Sequence, residues 1–181
     1  MKKLMIMFGA VVLAAAVQAA TCNWSATNVY GYDGSSFTKG SSTVHYIGYL
    51  FVDADASAIS TALAKKDLTV LSSAVVPLTT NNMAGFAAGS TTASGYSEGN
   101  HSAFAVIFNK DTAADATYFY VTGSSTMALS ESGNTTFAFG NLGTAMQTAG
   151  NWTKATAAPE PTSGLLLLLG MAGLALKRKR A

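Results

Sequence analysis

The sequence predicts a mainly β protein, built as one antiparallel, sandwich-like β domain with a single short helix. Two observations support this prediction. Short segments rich in β-branched and aromatic residues recur along the chain, and clusters of Gly, Ser, Asn and Asp separate them. The helical spacing of apolar residues occurs in only one segment of the body, which is too few helices for a doubly wound α/β sheet.

The strongest strand candidate is 43–52, whose nearly continuous apolar character is typical of a strand buried on both faces. The other predicted strands, in chain order, are 30–32, 68–76, 101–108, 116–122, 125–129 and 135–139. Phe137 and Phe139 are two residues apart, so they should share one face of their strand. The segment 79–100 is rich in Thr, Ser, Asn and Gly and is predicted as a loop or a weak edge strand.

The one predicted helix covers 56–66, where apolar residues recur at spacings of one, three and four. Asp55 or Ser57 can cap its first turn, and Lys65 and Lys66 suit the negative end of its dipole. The segment 33–36 (Asp-Gly-Ser-Ser) is predicted as a turn.

The first 19 residues have the parts of a secretory signal peptide. Lys2 and Lys3 form a basic start, and 4–17 is an apolar stretch. Small or apolar side chains at the positions that signal peptidase reads place the cut after Ala19, and a cut after Ala20 stays open.

The far end of the chain also has three parts in a fixed order. Pro159, Glu160 and Pro161 are followed by 13 uncharged residues, 164–176. As a helix this run would be about 20 Å long, which is short for a hydrocarbon core about 30 Å thick. Four basic residues then act as a stop-transfer cluster that stays cytoplasmic: Lys177, Arg178, Lys179 and Arg180.

This tail resembles the PEP-CTERM sorting signal of Gram-negative bacteria at Pro159, Glu160, Pro161, the apolar run and the basic cluster. The resemblance covers about 23 of 181 residues. It implies recognition by an exosortase, a membrane cysteine protease-transpeptidase, with removal of the tail. It also implies delivery to the outer surface or an exopolysaccharide matrix. The domain prediction is a signal peptide 1–19, a β-rich body 20–140, a linker 141–157 and a sorting tail with its transmembrane segment 158–181.

The body is mildly acidic once both ends are set aside. Five lysines and eight acidic residues give the body a net charge near −3, which provides no electrostatic footprint for nucleic acid.

Cys22 is the only cysteine, so an intrachain disulfide and a multi-cysteine zinc site are excluded. Lipidation of Cys22 is disfavoured because Thr21 precedes it and no leucine lies three residues before it. Cys22 could pair between chains, but we interpret it as incidental.

Two motifs in the body suggest chemistry without completing it. The segment 95–99 matches the nucleophile elbow of α/β-hydrolases around Ser97, but a strand rather than a helix is predicted to follow it. The only histidine downstream of Ser97 is His101. Asp53, Asp55 and Ser57 alternate like the start of a calcium loop, but the glycine and the final acid of that loop are missing, so helix capping is favoured.

Other polar and aromatic residues have equally open interpretations. Asp111 and Asp115 could bind an ion from a loop. His45 and His101 could share a metal only if their strands pair and a third ligand is found, so packed or surface histidines are favoured. Alternating tyrosines could stack on sugar rings, with packing on a sheet face as the default: Tyr30, Tyr32, Tyr118 and Tyr120. No cofactor is predicted.

The sequence therefore predicts an exported, non-enzymatic protein of the cell surface or extracellular matrix, with a structural or interaction role. Its processing partners are signal peptidase and exosortase, with transient residence in the inner membrane. The alternative is a carbohydrate-binding module for exopolysaccharide. A small secreted hydrolase that uses Ser97 is a weaker alternative.

Overall fold

The computed structural model describes residues 20–77, 86–93, 96–130 and 133–156. The predicted signal peptide with Ala19, the sorting motif at Pro159, Glu160 and Pro161, and the basic cluster 177–180 lie outside these ranges. Among the helices inside them, none is both long enough and apolar enough to cross a membrane.

Strands outnumber helices among the described elements, which confirms the mainly β class. In chain order the elements are β1 Ala20–Thr27, β2 Tyr30–Tyr32, β3 Phe37–Lys39, β4 Gly48–Val52, α1 Ala56–Ala64, a 3-10 helix Leu68–Ser73, β5 Val76–Pro77, β6 Phe86–Ala93, β7 Gly99–Phe108, β8 Tyr118–Val121, β9 Ser125–Leu129, β10 Asn134–Asn141, α2 Gly143–Met146, a 3-10 helix Ala149–Asn151 and β11 Trp152–Lys154.

The strands form two larger sheets and a hairpin. The main sheet has the order β11-β8-β7-β4-β5, with β9 pairing with the other half of β7. All of its pairs are antiparallel. The second sheet has the order β10-β1-β6, and here β1 runs antiparallel to β6 but parallel to β10. β2 and β3 form the hairpin around the turn predicted at 33–36.

Strand β7 divides the buried residues into two clusters because its side chains alternate between its faces. Ala103, Ala105 and Ile107 join a sheet–sheet cluster with Cys22 and Trp24 of the second sheet. The other face contributes to a helix-side cluster with α1: Phe104, Val106, Phe108, Ile59 and Leu63. The two larger sheets therefore share one core, and the helix covers the opposite face of the main sheet.

Strand β4 is buried on both faces, as the sequence predicts. Leu50 and Val52 lie in the sheet–sheet cluster, whereas Phe51 lies in the helix-side cluster. The strand is shorter than predicted because 43–47 is not part of it. In that segment the Ser41 hydroxyl accepts hydrogen bonds from the backbone N–H groups of Thr43 and Val44, which holds a local turn instead.

The strand prediction for 68–76 is wrong up to Ser73, where the chain forms a 3-10 helix. Asp67 caps this helix by accepting hydrogen bonds from both the backbone N–H and the hydroxyl of Thr69. Leu68, Val70 and Leu71 then pack on the helix-side cluster. Local capping together with tertiary packing overrides the β-propensity of these residues.

The prediction of a linker over 141–157 is wrong for the residues up to Lys154. Met146 of α2 is fully buried, and β11 extends the main sheet by pairing with β8. The Trp152 indole N–H donates a 2.6 Å hydrogen bond to the Met146 carbonyl. Small Gly, Thr and Ala residues surround these two anchors in the sequence and mask the pattern of a packed segment.

Candidate functional site

The two histidines lie at opposite ends of the β4–β7 pair. In this register Gly48 faces Ile107 and Val52 faces Ala103, so His45 precedes one end of the pair and His101 lies near the other. They cannot share a metal ion at that separation. Within the described ranges, no group of three or more His, Cys, Asp and Glu residues is placed to hold one.

His101 instead forms a close pair with Asp53, which we call the Asp53–His101 clamp. Its Nδ1 lies 2.5 Å from the Asp53 carboxylate, and its Nε2 lies 2.8 Å from the backbone carbonyl of Ser97. Asp53 follows β4 with φ +52°, and its backbone N–H and second carboxylate oxygen both bond to Ser102. The Tyr96 ring meets the imidazole edge to face at 5.6 Å.

The clamp requires a protonated imidazole because both of its partners are acceptors. A neutral ring has one N–H and could satisfy only one of them. The hydrogen bond to Asp53 raises the pKa of His101 above its ordinary value, against the opposing effect of burial. The same hydrogen bond lowers the pKa of Asp53. When the ring is protonated, the two groups form an ion pair in which the histidine is buried and the carboxylate is about half exposed.

The clamp does not activate Ser97. The histidine nitrogen that would have to accept the hydroxyl proton faces the Ser97 carbonyl and carries its own proton. The serine side chain is exposed. Ser97, His101 and Asp53 therefore have a structural role, because their contacts hold β4, β7 and the segment 96–98 together. Sequence reasoning missed the clamp because Asp53 and His101 are 48 residues apart and no local pattern links them.

The other acidic candidates have local roles. Asp55 caps α1 by accepting hydrogen bonds from the backbone N–H groups of Ser57 and Ala58, which confirms the capping interpretation. Asp115 accepts a 2.6 Å hydrogen bond from the Thr112 hydroxyl.

The tyrosines pack mainly on one another. Tyr32 stacks on Phe37 at 4.8 Å and meets the edge of Tyr118 at 5.0 Å. Tyr120 is 7% exposed and packs on Trp152. Tyr30 is half-buried against the sheet–sheet cluster. The predicted ladder is therefore a packed aromatic group that fixes the β2–β3 hairpin on the main sheet.

An open cleft of about 290 Å³ lies between this hairpin, the segment 43–46 and the connection 109–111. Its polar side chains include Thr38, Thr43, His45, Lys110 and Asp111. Its volume lies near the lower end of the range of ligand sites. The cleft combines hydroxyl, imidazole, ammonium and carboxylate groups with the apolar surfaces of Val44 and Tyr46, a set that suits a neutral polyhydroxyl ligand.

Asn109 and Asp33 build the wall of the cleft. Asn109 is buried, and its amide donates to the Tyr32 carbonyl at 2.6 Å while its oxygen accepts from the backbone N–H groups of Thr117 and Tyr118. The Asp33 carboxylate accepts hydrogen bonds from the backbone and hydroxyl groups of Ser35 and Ser36, which hold its pKa well below the usual range. These hydrogen bonds fix the positions of Asp33 and Asn109 in the cleft lining.

Cys22 is a core side chain. It is fully buried in β1 within the sheet–sheet cluster, and burial raises the pKa of its thiol.

In comparisons with protein families, curated proteins and solved structures, no match to this chain was found.

Proposed function

We propose that this chain is an exported protein of the cell surface or extracellular matrix, with a structural or interaction role and no enzymatic activity. One observation supports the proposal above the others. The sequence carries a signal-peptide pattern over 1–19 and, at its other end, the Pro159-Glu160-Pro161 triplet with an apolar run and the basic cluster 177–180. These two patterns flank the described β-rich body.

The processing route follows from the resemblance of the tail. Signal peptidase cuts after Ala19, and exosortase recognises Pro159, Glu160 and Pro161 outside the membrane. The cluster 177–180 stays cytoplasmic, so the precursor is held in the inner membrane between the two events. Prolines on both sides of Glu160 keep this triplet extended and open to an enzyme.

A deletion of 159–181 in the producing bacterium tests the proposal, followed by fractionation of the cells. We expect the truncated protein to be lost from the surface fraction. A double substitution Pro159→Ala and Pro161→Ala should have the same effect, whereas Pro77→Ala removes the only other proline, in β5, and serves as the control. Delivery to the surface at the wild-type level without 159–181 would contradict the proposal.

A second candidate function is carbohydrate binding, and the cleft favours it. Lys110 and Asp111 line the cleft, and an ammonium and a carboxylate group can both bond to sugar hydroxyls. The packed tyrosines lend this function no separate platform, so the cleft is its only support. Affinity electrophoresis in a panel of polysaccharides tests it. Retardation should weaken with Lys110→Ala but not with Lys65→Ala, an exposed lysine at the end of α1. If the wild-type protein migrates equally in gels with and without each polysaccharide, carbohydrate binding is contradicted.

A further inference from the structure

We propose that Asn100 is a modification site at which the exported protein receives an N-linked saccharide. Asn100, His101 and Ser102 form an Asn-x-Ser sequon without proline, which is the acceptor pattern for N-glycosylation. The donor would be a sugar carried on a lipid pyrophosphate, and its transfer takes place outside the cytoplasm. The inference therefore rests on the proposed function, because only an exported chain meets the transferase.

The sequence contains four such sequons, with Ser or Thr in the third position, and the fold places them differently. They begin at Asn23, Asn100, Asn134 and Asn151. Asn23 is half-buried on β1, which has a paired strand on each side. The Asn151 amide nitrogen donates a 2.9 Å hydrogen bond to the Ala145 carbonyl, so it already has a structural role. Asn100 and Asn134 are exposed, which leaves them as the two candidates.

Glu98 distinguishes Asn100 from Asn134. It is exposed and lies two residues before Asn100, which completes the longer sequon of bacterial transferases: an acidic residue, any residue, and then the Asn-x-Ser or Asn-x-Thr set. Before Asn134 this position holds Ser132. A carboxylate there can pair with a cationic group of the transferase and so favour binding of the acceptor. Of the four sequons, the one at Asn100 alone has this acidic residue.

The structure leaves room for a saccharide around Asn100. Its partner on β9 is Ala128, and Ser102 lies opposite Thr126 in the same register. Alternation along both strands puts these four side chains on one face of the sheet, and all four residues are exposed. His101, between Asn100 and Ser102, points to the other side and is buried in the clamp. A saccharide on Asn100 would therefore lie over short side chains and displace no buried group.

The pairing of β7 with β9 sets the order of events. Asn100 lies within this pair in the folded protein, so the transferase has to reach the sequon as the exported chain emerges and before the two strands join. The Asn100 amide nitrogen then forms a bond to the anomeric carbon of the sugar. The bond from that carbon to the lipid pyrophosphate breaks, the pyrophosphate leaves with the electron pair, and the amide gives one proton to a base of the transferase.

Mass spectrometry of the protein purified from the envelope fraction of the producing bacterium tests the inference. Chymotrypsin cuts after Tyr96 and Phe104, so the peptide 97–104 contains Glu98 and the whole sequon. We expect this peptide to carry the added mass of a saccharide, which is lost as sugar ions on fragmentation. The N-terminal peptide of the same sample is read as well, because a start at Ala20 shows that the chain was exported.

Single variants of the full chain separate the parts of the site. Asn100→Gln replaces the acceptor, and Ser102→Ala removes the hydroxyl of the sequon while keeping the backbone N–H that bonds to Asp53. We expect both variants to abolish the added mass. Glu98→Gln keeps the shape of the side chain without its charge and should lower the modified fraction. Asn134→Gln removes an exposed sequon that lacks the acidic residue, and as the matched control it should leave the modification unchanged.

An unmodified peptide 97–104 in protein that begins at Ala20 overturns the inference and leaves the proposed export intact. A saccharide mass that persists in Asn100→Gln overturns it too, because the sugar is then attached to a neighbouring residue. A protein that keeps Met1 and stays in the cytosol contradicts the proposed function and this inference together. Failure of glycosylation is therefore distinguishable from failure of export.

Discussion

Among single residues, His101 has the most direct electrostatic consequence. Its ring lies between a carboxylate and a carbonyl, so the folded state favours the imidazolium form. Asp53, with φ +52°, places its carboxylate where the ring can reach it. The clamp is thus an ion pair held by hydrogen bonds on both sides, and it ties the segment 96–98 to two strands of the main sheet.

The stability that the clamp contributes should fall as the pH rises from neutral. The folded state raises the pKa of His101, so this contribution is complete below the ordinary histidine value of 6.5 and is lost as the pH passes the folded pKa. The pKa of Asp53 is lowered, so its share is complete above 3.8 and is lost on acidification. Urea denaturation between pH 5 and 9 measures the free energy of unfolding of the wild type and of His101→Gln. We expect the difference between the two values to become smaller at high pH.

An Asp53→Asn variant provides the matched control for this pH dependence. This variant removes the carboxylate partner of the same ion pair. The loss in free energy of unfolding for the double variant should therefore be smaller than the sum of the losses for the two single variants. A gap between wild type and His101→Gln that stays constant across the range would contradict the protonated clamp.

Asn109 is the buried polar residue whose loss should cost most. Asn109→Ala leaves the backbone N–H groups of Thr117 and Tyr118 and the carbonyl of Tyr32 without their partner. We expect the free energy of unfolding to fall by about 2–4 kcal/mol. Asn100→Ala, on the exposed face of β7, should change it by no more than about 0.5 kcal/mol. Similar midpoints for the two variants in urea would count against this role.

At the scale of elements, sequence reasoning succeeds where one short pattern specifies the whole element. The helix α1 with its Asp55 cap, the two-sided burial of β4 and the alternation in β10 are all confirmed. It fails where distant residues decide the outcome. The parallel pairing of β1 with β10 has no local signal in the sequence. The segment 79–100, by contrast, is predicted as a loop or a weak edge strand, and 86–93 forms the edge strand β6. The same holds for the candidate site. The Asp55 cap of α1 could be predicted from a local pattern, whereas the Asp53–His101 clamp joins distant residues and could not.

The C-terminal elements give a direct test at this scale. Trp152 is 7% exposed, packs against Tyr120 and donates its N–H to the Met146 carbonyl. We expect Trp152→Ala to lower the free energy of unfolding by about 3–5 kcal/mol. Lys154→Ala, on an exposed position of the same strand, should be nearly neutral. If both variants unfold at the wild-type midpoint, 141–154 behaves as a linker after all.

At the scale of the whole molecule, the two larger sheets meet through a close contact between Gly48 and Trp24. A Cβ added at Gly48 would lie 2.5 Å from the Trp24 ring, which is itself 1% exposed. Gly48→Ala should therefore destabilise the protein by about 1–3 kcal/mol through overpacking. Gly123→Ala, where an added Cβ meets nothing within 4 Å, is the matched control. Thermal unfolding of both variants decides the point, and equal midpoints would contradict close packing of the sheets.

The same scale relates the fold to export. Under the proposed function, the described elements from β1 to β11 belong to the part of the chain that remains after both ends are removed. The mild negative charge of the body gives no electrostatic footprint for nucleic acid.

The most direct test of the proposed export and processing is to determine the first and last residues of the protein in the producing bacterium. Intact-mass and terminal-peptide mass spectrometry of the protein from the envelope and medium should find Ala20 as the first residue and no residues of the basic cluster 177–180. A dominant cytosolic species that still begins at Met1 and ends at Ala181 would contradict it.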